Sequence, residues 1–230
     1  LLGLPEGHEY EVPALRAMPH ADTKAEASYD GQFYVQLALE PLLRDPAIDR
    51  AMDLPAYRAR WILFSWTAYL AGLGRPAWVV NAYALQNVAC WLILAWLLTR
   101  WIPLTAPRHL AAWAASMFSH GLLWSVHFSL VDGPSLLLLA CAVVAAERGR
   151  TWLLSAILGA GGLARETNLL GVSLFRVPRT RGEWLRLAVL LLVVAAPLVI
   201  WQDYLWSIYR TRSLVGREQL GLPFVAYAGN

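Results

Sequence analysis

Lysine is almost missing: Lys24 is the only one in 230 residues, so the positive charge is carried by arginine. Charge of either sign is scarce, at 15% of residues against about 25% in ordinary soluble domains. Motifs for nucleotide and hydrolase chemistry are also missing. There is no P-loop, GxGxxG, HExxH or GxSxG pattern, so those function classes have no support. Only two cysteines occur, Cys90 and Cys141. Both lie in apolar runs, where a small hydrophobe is expected and a disulfide framework is not. His120 and His127 are isolated, with no second ligand at metal-binding spacing, and read as packing histidines. No internal repeat is visible.

What is present in excess is apolar surface. Hydrophobic residues make up 58% of the chain and mean hydropathy is +0.45. They are gathered in runs, which places the chain among membrane proteins. Twelve tryptophans fit that class, because the indole has an apolar body and an N–H that seeks the interface. The net charge of +3 sits in arginine-rich loops. It reads as topology and contact with membrane lipids, and no nucleic-acid partner is expected.

The expected fold class is all-α: a polytopic transmembrane helix bundle with a polar outer loop carrying short amphipathic helices. Residues 1–56 form the outer first loop, 57–205 the transmembrane and interfacial bundle, and 206–230 an outer tail. The chain is expected to be a fragment, with Leu1–Leu4 as the tail of an earlier spanning helix. Within the first loop, the pattern over 32–43 predicts an amphipathic helix, broken up by Pro41 and Pro46. Residues 57–73 are apolar and aromatic but short, and either span or lie in the interface. Spans are predicted over 77–99, 110–126 and 187–201, with a turn at Asp132-Gly133-Pro134 and a shorter run over 135–146.

The arginines argue for orientation, since cytoplasmic loops collect them. If 152–175 is two half-length helices broken at Arg165-Glu166, the basic loops 100–109, 147–150 and 176–186 all share one side. Asp30, Asp132, Arg165 and Glu166 then lie toward the opposite, outer face.

The candidate chemistry starts at Tyr29-Asp30-Gly31-Gln32-Phe33-Tyr34. Asp-Gly is a common turn pair, but a carboxylate ringed by aromatic faces also suits a sugar. Arg165-Glu166 reads either as a helix-gluing ion pair or as a functional pair, because ionisable groups at membrane depth are costly. An arginine at a helix break suits a phosphate, which it grips in two places. Asp132 is expected to cap a helix, and Gly159–Gly162 to let helices approach closely.

An Asp-Gly-Gln-Phe-Tyr outer loop, a Tyr-Arg-x-Arg helix and an Arg-Glu-Thr after a small-residue helix together resemble the GT-C superfamily of membrane glycosyltransferases, in particular its bacterial members. The resemblance implies an inverting transferase of a bacterial inner membrane, multi-pass, with its site facing the periplasm. Its donor would be a polyprenyl-phosphate-linked sugar and its acceptor a glycan, lipid or protein. It implies Asp30 as catalytic base and Arg165 at the lipid phosphate. Tyr29, Gln32, Tyr34, Arg58, Asp132 and Glu166 are expected to line the substrate site. No cofactor is assigned, and a divalent cation is left open. The alternatives are a transporter or flippase of a lipid-linked sugar, which would usually show two related halves, and a non-catalytic subunit of a polysaccharide assembly complex.

Overall fold

The computed structural model describes residues 11–18 and 30–209, and these are all-helical, with no strand among them. Tyr29 and residues 210–230 lie outside the described residues. The first part is built from short helices: α1 (Pro13–Arg16), α2 (Gly31–Leu39), α3 (Ala47–Arg50) and α4 (Pro55–Arg58). A 3-10 turn (Ala59–Trp61) leads into α5 (Leu63–Ala71). At nine residues, α5 is only about 14 Å long, too short to cross a bilayer alone.

The expected amphipathic helix is corrected. α2 stops at Leu39, and eight of its nine residues are buried, only Phe33 being partly open. It is enclosed because Val12, Leu15, Tyr34, Val35 and Leu37 share one apolar core with Ile62 and Phe64, with Val79 and Tyr83, and with Trp201 and Leu205. The polar Gln36 is accommodated there by accepting from Val12 N–H at 2.9 Å and donating to Ala51 O at 3.4 Å. The described residues of this first part thus pack with the long helices in one shared core.

The turn at Gly72–Arg75 reverses the chain into α6 (Pro76–Leu98). Proline at its first position costs nothing, because that N–H has no intrahelical partner. α6 is long and apolar enough to cross a membrane, and so is α11 (Arg181–Tyr209). Between them come α7 (Pro107–Met117), α8 (His120–His127), α9 (Asp132–Glu147), α10 (Thr151–Ala164) and a 3-10 helix over Glu166–Leu174. The single span expected over 110–126 is corrected to two helices, α7 and α8, interrupted at Phe118-Ser119. The next break is sharper, with α8 and α9 bent by 120°. Asp132-Gly133-Pro134, expected as a turn, forms the first turn of α9 instead. Gly133 N–H, orphaned at that helix start, is satisfied by Ser125 Oγ at 2.8 Å.

Side-chain bonds fix the order of the ends. Arg100 Nε donates to Glu147 Oε2 at 3.0 Å, joining the turn just after α6 to the last residue of α9. Arg186 Nη2 donates to Thr151 Oγ1 at 3.0 Å, joining the starts of α10 and α11. The three arginine-bearing loops therefore meet at one end of the molecule. From Thr151, α10 runs to the other end and stops at Arg165, whose backbone is extended. The 3-10 helix then folds back along α10. Asn168 Nδ2 donates to Gly161 O at 3.1 Å, and Gly171 lies against Leu158. α10 can pack this closely on α11 because a Cβ on Gly159 would stand 2.9 Å from Val193 O.

Candidate functional site: a carboxylate–arginine cluster

At the end opposite the arginine loops, three arginines and four carboxylates converge. Asp30 immediately precedes α2, yet its side chain makes no capping bond. Its Oδ2 lies 2.6 Å from Arg58 Nη1. Gly31 permits this position, because a Cβ there would come within 1.9 Å of the Phe128 carbonyl oxygen. The Asp-Gly pair is thus a close-approach site, where only hydrogen fits between α2 and the α8–α9 elbow.

Arg58, expected to bind substrate, is already committed and only 11% exposed. It grips Asp53 with both edges of its fork, Nε to Oδ1 at 3.0 Å and Nη2 to Oδ2 at 2.8 Å. It also bonds the Tyr34 hydroxyl and lies 4.7 Å from the centre of the Phe33 ring. Burial opposes its charge, but the Asp53 and Asp30 carboxylates outweigh burial and hold it above its ordinary value. The Arg58 fork in turn holds Asp53 below its ordinary 3.8. Arg58 thus ties Asp30 and Asp53 together through one guanidinium.

Arg165 and Glu166 are adjacent but take separate partners. Arg165 Nη2 lies 2.9 Å from Asp132 Oδ1, and its guanidinium sits 5.0 Å from the Trp61 ring centre. Glu166 Oε1 lies 2.9 Å from Arg60 Nη2, while its Oε2 accepts from Trp61 Nε1 at 2.7 Å. Asp132, expected as a helix cap, makes no capping bond and serves as the partner of Arg165. Two donors are left over: the Nε–H groups of Arg60 and Arg165 are buried without an acceptor.

The other expected residues divide. Tyr34 is 2% exposed, and burial pushes its phenol well above the ordinary value, with Arg58 pulling the other way. Gln32 is buried within α2. Of the two, Tyr34 is tied to the cluster, through Arg58. His120 and His127 pack against Trp124, at 4.9 and 6.4 Å between ring centres. A cavity of about 570 Å³ opens beside the cluster at the α8–α9 elbow, lined by His120, Trp124 and Asp132 among others. Among the described residues no group of three or more His, Cys, Asp or Glu could hold a metal ion.

Sequence reasoning missed Asp53, Arg60 and Trp61. The Tyr57-Arg58-Ala59-Arg60 run was the available signal: two arginines two residues apart before a tryptophan. No protein-family model, no curated protein and no solved structure matches the chain.

Proposed function

We propose that the chain is a multi-pass membrane protein of a bacterial plasma membrane, GT-C-like, that transfers a sugar from a polyprenyl-phosphate donor to an acceptor hydroxyl at the outer face. The membrane part of this reading is supported by α6 and α11 and by exposed tryptophans at two levels. Trp78 and Trp96 are exposed near the two ends of α6, and Trp184 and Trp206 near those of α11. At about 1.5 Å per residue these pairs are about 27 and 33 Å apart, which brackets a hydrocarbon core of about 30 Å. The arginine loops gathered at one end support a cytoplasmic placement of that end. The cluster then lies at the outer end, level with Tyr83 on α6 and Trp201 on α11, about 8 Å inward of the tryptophan level.

The observation that carries an anionic donor is the pair of unmade Nε–H donors on Arg60 and Arg165. Unmade donors at that depth are costly, and a phosphate oxygen entering the cluster satisfies them. The carboxylate count supports Asp30 as the base. Four carboxylates share three guanidiniums, and Asp53 takes two bonds from Arg58 where Asp30 takes one. Asp30 is 41% exposed and its Oδ1 has no partner among the described residues. In the reaction the acceptor oxygen bonds to the anomeric carbon as its proton passes to Asp30. The bond from that carbon to the phosphate oxygen breaks, and its electrons leave on the phosphate beside Arg165. A positioned base contributes about 10²–10⁴-fold.

Asp30→Asn tests this directly in membranes carrying the full-length protein. Loss of sugar transfer by about 10²-fold or more, with unchanged membrane insertion and melting, is expected. Transfer at the wild-type rate removes Asp30 from the chemistry.

A further inference from the structure

The aromatic wall beside residues 40–44 carries no free polar group. Trp66 Nε1 donates to Pro41 O at 3.1 Å, Trp201 Nε1 to Ala59 O at 2.8 Å and Tyr204 Oη to Leu42 O at 2.5 Å. With their polar tips committed to backbone carbonyls, the rings offer only hydrocarbon to a groove of about 360 Å³. The groove runs along α11 from Tyr204 to Pro197 and is bounded by Leu42, Leu163 and Ile200. Its single charged lining residue is Arg44. Arg44 is exposed and makes no ion pair among the described residues. An adjoining groove of about 400 Å³, across Trp66, shares Arg44 and also meets Glu40. Burial there pushes the Glu40 carboxyl up, with Asp45 adding to it.

We propose that the groove on α11 holds an anionic glycerophospholipid, with an acyl chain along Ile200 and Pro197 and its phosphate on Arg44. The chemistry of the lining selects this occupant. A sugar or peptide would find no hydrogen-bond partner among the rings, whereas a hydrocarbon with one anionic end matches both halves. The planar guanidinium fork grips a phosphate in two places. Tyr204 lies two residues from Trp206 and bonds the Leu42 carbonyl, so Arg44 is placed at headgroup level, within reach of a lipid phosphate. None of Asp30, Asp132, Arg165 or Glu166 lines the groove. A lipid with its phosphate on Arg44 therefore does not present that end to the cluster, which separates this site from the donor site. The inference rests on the chain lying in a membrane and is independent of sugar transfer.

The test is native mass spectrometry of the full-length protein, purified in mild detergent and offered equimolar phosphatidylglycerol and phosphatidylethanolamine. One phosphatidylglycerol is expected to be retained at least fivefold over phosphatidylethanolamine. Arg44→Gln abolishes the preference, and Ile200→Trp, which fills the groove from an exposed position, lowers retention of both lipids. Arg108→Gln, at the opposite end of the molecule, leaves retention unchanged. Equal retention of the two lipids by the wild type, or unchanged preference in Arg44→Gln, overturns the proposal. Displacement of phosphatidylglycerol by one equivalent of undecaprenyl phosphate gives the groove to the donor and overturns it too. Extraction of the protein from membranes by alkaline carbonate overturns it through its premise, and is read before any lipid is added.

Discussion

At the scale of single residues, the cluster is an uneven sharing of guanidinium edges. Arg58 is the most buried of the three arginines and has the most bonds, while Arg60 and Arg165 are 37% and 35% exposed and each keeps an unmet N–H. This division predicts different behaviour on substitution. Arg165→Lys retains the charge but loses the fork, so it cannot hold Asp132, lie over Trp61 and meet a phosphate together. Binding of undecaprenyl phosphate to the purified protein should fall about tenfold, or about 1.4 kcal/mol. Melting should hardly move, since a part-exposed ion pair contributes at most about 1 kcal/mol. Normal binding by Arg165→Lys, with unfolding of Arg165→Ala, would make the residue purely structural. Asp53 gives a pH test. Its folded value lies below the ordinary 3.8, so its contribution is present at neutral pH and is lost as pH falls below about 4 through the folded value. The melting difference between wild type and Asp53→Asn should therefore be largest near pH 7 and shrink toward pH 3. A difference independent of pH would mean that Asp53 does not hold Arg58 through its charge.

At the scale of helices, the interruptions place the site. Asp30 enters beside the α8–α9 elbow, Asp132 starts α9, and Arg165 and Glu166 lie where α10 gives way to the returning 3-10 helix. Gly31 is the tightest of these joints. A methyl group there would meet the Phe128 O at 1.9 Å and the Phe128 carbonyl carbon at 3.1 Å. Both atoms are backbone and cannot rotate away, so α2 would have to shift. Gly31→Ala should cost about 1–3 kcal/mol, seen as a drop in melting temperature, and should displace Asp30 from Arg58. Wild-type melting and activity would mean that the elbow is loose. These joints also mark the limit of what the sequence reveals. The long apolar runs announced α6 and α11, and Arg165-Glu166 announced its own break because charge interrupts an apolar run. The break at Phe118-Ser119 carries no glycine, proline or charge to signal it. The burial of α2 was hidden as well, because a helix flanked by polar residues is enclosed only by elements far away in the chain. Trp61 and Glu166 are 105 residues apart, and no local period links them.

At the scale of the whole molecule, two kinds of residue define opposite ends. The Arg100–Glu147 and Arg186–Thr151 bonds bring the arginine-bearing segments together at one end, and the cluster built on the Asp30–Arg58 and Asp132–Arg165 pairs lies at the other. The division depends on α10 and the 3-10 helix forming an out-and-back pair. If 152–175 were one straight helix, Arg148 and Arg179 would stand on opposite sides of a bilayer. Asn168 against Gly161 and Gly171 against Leu158 oppose that extension, because residues seven and thirteen apart along a straight helix cannot touch side by side. Labelling decides between the two arrangements. In a background of Cys90→Ala and Cys141→Ala, single cysteines are introduced as Arg50→Cys, Arg148→Cys and Arg179→Cys. A membrane-impermeant maleimide applied to cells with a permeabilised outer envelope should modify only Arg50→Cys. Arg148→Cys and Arg179→Cys should react only after the inner membrane is opened. Modification of one of these two from outside, with the other protected, would require a straight span and would separate Arg165 from the face that carries Asp30.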